Sequence, residues 1–115
     1  MRYFKPVIID GKVVHGEFTQ IKVQGVPPVA RFGHTMCYLP VNNAIAIAGG
    51  RNDSMSSTNM TPFLNDIVLF LLDQKVWLHV KQSINSDSLD FIGNHCMSVV
   101  SDNENYEKVL IFGGI

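Results

Sequence analysis

One motif occurs twice in this sequence, as GHTMCYLPVNNAIAIAGG at 33–50 and as GNHCMSVVSDNENYEKVLIFGG at 93–114. Each copy begins with a Gly and a His, continues through an apolar segment with Met two places after the His, and turns through polar residues. A second apolar segment and Gly-Gly then follow. A unit that recurs in this way buries its apolar surface by stacking on its neighbours. The sequence therefore predicts a repeat architecture.

The segments between the turns have the two-residue periodicity of strands. Phe18–Val23 alternates, and Val76, Leu78 and Val80 alternate with the residues between them. Short runs that are apolar on both faces are typical of interior strands, and they occur at 44–48, 67–72 and 109–112. A short helix within 83–89 is the strongest helical candidate. We predict an all-β chain of about eight strands joined by hairpins, with a hairpin signal at Asp10-Gly11.

Composition excludes several classes of protein. Nine Lys and Arg against ten Asp and Glu give a net charge of −1, which argues against a nucleic-acid binder with its usual basic stripe. Apolar residues reach 46%, which argues against disorder, and charged residues are only 17%, below the typical 25% or so. The longest apolar run, Ile67–Leu72, is far shorter than the roughly 20 residues of a membrane-spanning helix.

The two cysteines, Cys37 and Cys96, have neither CxxC nor metal-site spacing. A small secreted domain usually carries more cysteines, and no signal-peptide pattern stands at the N-terminus. We therefore predict two free thiols in a reducing, cytoplasmic compartment.

Between the two copies lie Asn65-Asp66, an apolar strand, Asp73 and Trp77. In the order Gly-His, Gly-Gly, Asn-Asp, Asp and Trp, the sequence resembles the kelch repeat, the four-stranded antiparallel blade of a β-propeller. The match is strongest from Arg31 to Lys81. The resemblance assigns a structural role to the motif residues of both copies: Gly33, His34, Gly49, Gly50, Asn65, Asp66, Asp73, Trp77, Gly93, His95, Gly113 and Gly114.

In kelch terms, with strand A innermost, the complete blade occupies 27–82. Its strands are expected at His34–Leu39, Ala44–Gly49, Asp66–Leu72 and Val76–Lys81. Residues 83–115 supply strands A and B of the next blade, at His95–Val100 and Lys108–Gly113. Residues 1–26 supply strands C and D of a preceding blade, at Tyr3–Ile9 and Phe18–Val23. In that blade Asp10 stands near the place of Asp73, and Phe18 replaces the Trp.

This inventory of strands is about two blades, whereas a propeller has roughly four to eight. Two explanations remain open. The chain is a fragment of a longer propeller, or it associates head to tail, so that the halves at its two ends complete one blade. Three copies would then make about six blades in a ring.

Partner binding is expected on the face of the B–C and D–A loops, because these are the long connections. The residues expected to bind a protein partner are Arg31, Arg51, Asn52, Asp53, Asp87 and Asp90. Arg31 and Arg51 can each pair bidentately with a carboxylate or phosphate. The alternative for Arg31 is attachment to its own neighbours, such as the backbone or Asp53. The Ser/Thr-rich stretch 54–61 is either a phosphorylation target or a solvated insertion.

No pattern for catalysis, metal binding or a cofactor is present in the sequence. His34 and His95 recur in kelch repeats as packing residues, so we expect neither a metal nor a cofactor. The expected function is a non-catalytic protein-interaction module, either a scaffold or a substrate adaptor. One alternative is a regulatory or substrate-recruiting kelch domain of a larger enzyme. Another is hydrolysis or isomerisation of a small ligand in the central opening.

Overall fold

The computed structural model describes residues 2–82, 89–100 and 107–114. Antiparallel strands dominate the described part of the chain, which confirms the all-β prediction. The strands are β1 Arg2–Ile9, β2 Lys12–Gln20, β3 Thr35–Leu39, β4 Ala44–Ala48, β5 Ile67–Leu71, β6 Val76–His79, β7 Cys96–Val100 and β8 Lys108–Phe112. The helix expected within 83–89 lies, except for Leu89, outside the described residues.

Strands β3 to β6 form one four-stranded antiparallel sheet in chain order. The expected bounds of these strands are met to within two residues. In the interior strand β4, Ala44, Ala46, Ile47 and Ala48 are buried. The small side chains of Ala44, Ala46 and Ala48 allow close packing on one face, while Ile47 lies on the other face with the buried Val68 and Phe70 of β5. The Trp77 ring of β6 lies 4.9 Å from that of Phe70, between centroids.

Strands β7 and β8 form a hairpin that packs on the four-stranded sheet through β3. The shared core has Leu39, Ala44 and Ala46 at its centre. Around this centre pack the partly buried Cys37, Leu69, Leu71, Met97 and Val99. The second copy of the repeat thus buries its apolar surface against the first.

Strands β1 and β2 form a separate hairpin, and this corrects one strand boundary. The strand expected at Phe18–Val23 spans Lys12–Gln20, because Asp10 and Gly11 take positive φ angles of 53° and 76° and close a two-residue turn. A bulge in the pairing between Val7 and Ile8 and the glycine at 16 interrupt the alternation over this strand. The turn between β1 and β2 is therefore shorter than the connection between β5 and β6.

Among the described residues, neither strand of the β1–β2 hairpin packs against another strand. The radius of gyration is 16.3 Å, larger than the roughly 13 Å of a compact chain of this length. The molecule is 52 Å long by 37 and 28 Å. The hairpin therefore projects from the rest of the protein.

The link from β2 to β3 runs along the outer strand and then crosses the end of the sheet. Gln24 pairs with β6 through two backbone bonds of 3.0 Å, to Lys75 O and from Trp77 N. His79 Nε2 lies 2.7 Å from Val26 O. This path brings the segment before Gly33 to the edge where β4 ends and β5 begins. Among the described residues, no helix is long and apolar enough to span a membrane.

We expect Phe70→Ala to lower the free energy of unfolding by about 3–5 kcal/mol, because the Phe70 ring is 1% exposed and its removal leaves a cavity. Met60→Ala is the control, since Met60 is 94% exposed and its loss should cost less than about 0.5 kcal/mol. Chemical denaturation followed by circular dichroism measures both. Equal costs for the two variants would contradict the packing described for β5.

Candidate partner-binding surface

Backbone hydrogen bonds join three connections at one end of the four-stranded sheet. Phe32 and Arg51 exchange two such bonds, of 3.0 and 2.7 Å. Leu64 N donates to Gly50 O at 2.9 Å, and Ile92 bonds to both Gly50 and Leu64 at 2.8 and 3.0 Å. The segments around residues 32, 51, 64 and 92 therefore form one continuous platform, as expected if the long loops share a face.

A shallow, open cleft of about 500 Å³ lies on this platform. It is bounded by the link before β3 and by the start of the loop between β4 and β5. Its lining residues are Ala30, Arg31, Phe32, Arg51, Asn52, Asp53 and Ser54. Four of the six predicted partner-binding residues thus lie together.

Arg51 presents its charge at the rim of this cleft. Its Nε donates to Asp53 Oδ1 at 2.7 Å, and its guanidinium carbon lies 5.5 Å from the centre of the Phe63 ring. The side chains of Arg51 and Asp53 remain 42% and 68% exposed. Within the described residues, no hydrogen bond engages Nη1 or Nη2 of Arg51. Those two groups are free to meet a carboxylate.

Arg31 is held inside the protein. Its guanidinium donates to both carboxylate oxygens of Asp66, at 2.6 and 2.9 Å, to Gly49 O at 2.9 Å and to Val29 O at 3.0 Å. Its side chain is only 4% exposed. Four of the five N–H groups of the guanidinium are thus used internally. The internal partner is Asp66, not Asp53, and Arg31 does not contribute to the exposed surface.

The other predicted partner-binding residues differ in availability. Asn52 is used internally, since its Oδ1 accepts from Ser54 N at 2.9 Å and its Nδ2 donates to Ala30 O at 2.8 Å. The bond from Ser54 N caps the short helical turn Asp53–Met55, which together with the turn Ser56–Asn59 occupies the Ser/Thr-rich loop. Asp90 is exposed, outside the cleft. Asp87 lies outside the described residues.

The glycines of the first Gly-Gly pair have positive φ angles and a close approach to the neighbouring backbone. Gly49 and Gly50 have φ angles of 61° and 108°. A Cβ on Gly49 would stand 2.6 Å from Ile92 O, a separation that real side chains do not reach. The second pair, Gly113 and Gly114, also has positive φ. Among the described residues, a Cβ on Gly113 would meet nothing within 4 Å, whereas one on Gly114 would stand 2.6 Å from Ile92 Cγ1. The close approach at Gly49 comes from the neighbouring β7–β8 unit.

The two motif histidines occupy matching positions before β3 and β7 but have different surroundings. His95 is 5% exposed, and its Nε2 lies 2.6 Å from Thr35 Oγ1 across the contact between the two units. Burial is the main cause that lowers the pKa of His95, and nearby His34 adds to it, while the Ala48 backbone opposes the shift. Nδ1 of His95 is buried without a hydrogen bond of ordinary geometry. His34 is exposed, and within the part of the chain that the structure describes no second unit covers it.

The remaining motif residues lie in the turns and connections, where they form hydrogen bonds or close contacts. Asp73 Oδ1 accepts from Asn43 Nδ2 at 3.0 Å, and Asn65 O accepts from Gln82 Nε2 at 2.8 Å. The carboxylate of Asp66 binds the guanidinium of Arg31. Gly33 has a φ of 68°, and its carbonyl accepts from Asn94 N at 2.8 Å. Gly93 is buried against the Phe63 ring.

Several contacts were not foreseen from the sequence. Phe32 and Phe63 flank Arg51 on the platform, and their proximity arises only when the loops pair. At the opposite end of the sheet, Glu107 Oε1 accepts from both N and Nδ2 of Asn42 at 2.9 and 2.8 Å. Because Asn42 belongs to the turn between β3 and β4, this carboxylate ties the β8 strand to the first unit.

The described residues contain no group of three or more His, Cys, Asp or Glu that could hold a metal ion. The two cysteines are free thiols in this structure, Cys37 half-buried and Cys96 exposed. Neither a scan against protein-family models nor a search of the curated proteins found a match for this chain.

We expect Asp66→Asn to destabilise the fold by about 1–3 kcal/mol, because it leaves the charge of buried Arg31 without its counter-ion. The lower part of the range reflects the 37% exposure of the Asp66 side chain. The matched control is Asp53→Asn, which removes an exposed ion pair and should change stability by less than about 0.5 kcal/mol. Urea denaturation distinguishes the two, and equal effects would refute the structural role of Arg31.

The lowered pKa of His95 makes stability depend on pH. In the folded state the ring resists protonation, so the folded protein binds fewer protons than the unfolded chain once the pH falls below about 6.5. Stability is therefore full above that pH and declines on acidification, by at most about 1.4 kcal/mol per pH unit for one proton. Unfolding free energies measured from pH 7.5 to 5 should show a shallower decline for His95→Gln. His34→Gln should keep most of the wild-type decline, since burial is the main cause of the lowered pKa of His95. An unchanged slope in His95→Gln would contradict the assignment.

Proposed function

We propose that this chain is a kelch-like β-propeller segment that acts in the cytoplasm as a non-catalytic protein-interaction module. The order of motif residues in the sequence supports the family assignment, and the four-stranded antiparallel sheet is consistent with one blade. The loop platform around residues 32, 51, 64 and 92 is the partner-binding surface. It is a fixed surface because backbone bonds join its segments before any partner arrives.

The observation that carries the proposal is the exposed guanidinium of Arg51 at the rim of the cleft. It is oriented by Asp53 and supported by the ring of Phe63. A guanidinium held in this way loses little freedom when it binds a carboxylate, which favours recognition of an acidic side chain. Arg is also among the residues that most often dominate binding energy at protein interfaces.

Apolar side chains surround this charge. Phe32 is 59% exposed and Val29 is 43% exposed, and both belong to the link that crosses the platform. Exposed apolar groups beside a charged residue are typical of binding surfaces in soluble proteins. We therefore propose a partner segment that places an acidic side chain against Arg51 and an apolar side chain against Phe32.

A capture experiment tests this function. The purified chain is immobilised, and proteins bound from a cytosolic extract are compared between the wild type and Arg51→Glu. Repulsion of an acidic ligand should reduce capture of the true partner by about tenfold or more, since charge reversal both removes and opposes the contact. Quantitative mass spectrometry of the bound proteins provides the measurement.

Lys22→Glu is the control for the change in net charge, because Lys22 is exposed and lies outside the cleft. A partner that uses the platform is lost with Arg51→Glu and retained with Lys22→Glu. An identical set of proteins captured by all three forms would exclude this surface as the binding site.

A further inference from the structure

The Ser/Thr-rich loop after β4 places a serine in the cleft of the platform. Ser54 is exposed, and it is the hydroxyl-bearing residue among the described residues that line the cleft. Arg51 lines the same cleft, three residues earlier in the chain. We propose that Ser54 is a phosphorylation site and that the guanidinium of Arg51 binds its phosphate within the same chain. This modification is distinct from the binding of a protein partner at the cleft.

The other hydroxyl groups of this loop are less well placed. Residues 56–58 are exposed but do not line the cleft. Thr61 is half-buried, and its hydroxyl accepts a hydrogen bond from Phe63 N at 3.3 Å. Within the described residues, the Ser54 hydroxyl forms no hydrogen bond, since only the backbone N–H of Ser54 is engaged by a side chain. A phosphate at Ser54 therefore breaks no side-chain bond of the fold.

The modification is a phosphoryl transfer from ATP, catalysed by a protein kinase. Ser54 Oγ attacks the γ-phosphorus and forms a new O–P bond, while the bond from the γ-phosphorus to the bridging oxygen breaks and ADP leaves. The hydroxyl proton passes to the catalytic base of the kinase. Access is open, because the turn Asp53–Met55 contains no buried residue. The product carries a charge of about −1.5 to −2 and three acceptor oxygens.

Arg51 has the donors that this phosphate requires. Its Nε is bound to Asp53 Oδ1, whereas Nη1 and Nη2 form no hydrogen bond within the part of the chain described. These two nitrogens carry four of the five N–H groups of a guanidinium. Arginine binds phosphate through two parallel N–H groups. The phosphate can therefore be bound while the bond from Nε to Asp53 is kept, with the Phe63 ring 5.5 Å from the guanidinium carbon.

The other charged groups of the cleft act in opposite ways. Arg31 does not compete for the phosphate, because its side chain is 4% exposed and is bound to Asp66. Asp53, which is 68% exposed, repels the phosphate as a like charge. The phosphate carries more negative charge than a carboxylate does, so the attraction to Arg51 outweighs this repulsion. Loss of Arg51 and loss of Asp53 are thus expected to have opposite effects on the phosphate.

A bound phosphate also changes what the cleft can accept. It occupies Nη1 and Nη2 of Arg51, the two groups available to an acidic partner, and it adds negative charge beside them. Phosphorylation of Ser54 therefore closes the cleft to an acidic side chain. This consequence rests on the proposed function, whereas the binding of the phosphate by Arg51 does not. The experiment for the phosphate uses no partner, so its failure and the failure of the capture experiment are distinguishable.

Titration by phosphorus NMR tests the contact in the full chain with phosphoserine incorporated at position 54. The second pKa of phosphoserine is ordinarily about 6. Arg51→Gln should raise this pKa by about 0.5 or more, because it removes a cation that favours the dianion. Asp53→Asn should lower it, because it removes an opposing charge. Both differences should shrink in urea, where the fold no longer holds the groups together. A pKa that does not respond to Arg51→Gln would overturn the proposal.

Phosphoserine at position 57 is the matched control, since Ser57 is exposed and lies outside the cleft. There Arg51→Gln should leave the phosphate pKa unchanged, and an equal rise at both positions would contradict specific binding. Arg51→Lys keeps the charge without the paired N–H groups and should give an intermediate pKa at position 54. Circular dichroism of each variant verifies that the sheet is retained.

Mapping of the modified residue tests whether kinases use this serine. The full chain is incubated with ATP and a cytosolic extract, and phosphorylated residues are identified by mass spectrometry. Ser54 should be the main phosphorylated residue of the loop, and Ser54→Ala should remove most of the phosphate incorporated there. Phosphate found only at other positions of the loop, or none in the loop at all, would overturn the assignment of Ser54.

Discussion

The ion pair between Arg31 and Asp66 is the contact on which the arrangement of the loops depends. Arg31 lies in the link that precedes β3, and Asp66 stands directly before β5. Arg31 also donates to Gly49 O, directly after the end of β4. One guanidinium therefore joins three segments that are distant in sequence, directly beside the backbone pairing of Phe32 with Arg51. The surface that presents the exposed Arg51 thus lies beside the buried Arg31.

Equivalent residues in the two copies of the repeat differ in environment, and the difference has one cause. Each unit is covered only where another unit lies beside it. His95 packs against the four-stranded sheet, and Gly49 packs against the β7–β8 unit. Their counterparts His34 and Gly113 are exposed to solvent. The motif residues therefore serve contacts between units more than the stability of a single unit, which is the behaviour of stacked repeats.

Much of the fold could be predicted from the sequence, because periodicity and turn residues act locally. The apolar run at 44–48 and the Gly-Gly pair that follows it located β4 and its end closely. The second strand of the first hairpin was misplaced, because Gly16 and the bulge opposite Val7 obscure the alternation before Phe18. The Phe4 ring lies over Gly16, in the space that a side chain at position 16 would occupy. The periodicity of the sequence does not reveal this contact between the two strands.

The candidate site was only partly predictable. The loops that carry it could be identified by their length, and Arg51 by its position after Gly-Gly. The roles of the two arginines could not be separated, because they depend on which carboxylate lies within reach after folding. The position of Asp66 in the Asn-Asp motif does not indicate Arg31 as its partner, and Phe63 carries no sequence signal. Side-chain pairing across 35 positions is a property of the tertiary structure.

The strand order of the sheets has a consequence for how the chain folds. Every strand pair in the described sheets joins neighbours in sequence, and the β1–β2 hairpin needs only a two-residue turn. Hairpins of this kind close in about 1–10 μs, and topologies rich in local pairing fold faster than those with distant pairing. The loop between β4 and β5 is the longest interval within the four-stranded sheet. We expect closure of that loop, which joins the two hairpins into one sheet, to be the slower step, because longer loops cost more entropy to close.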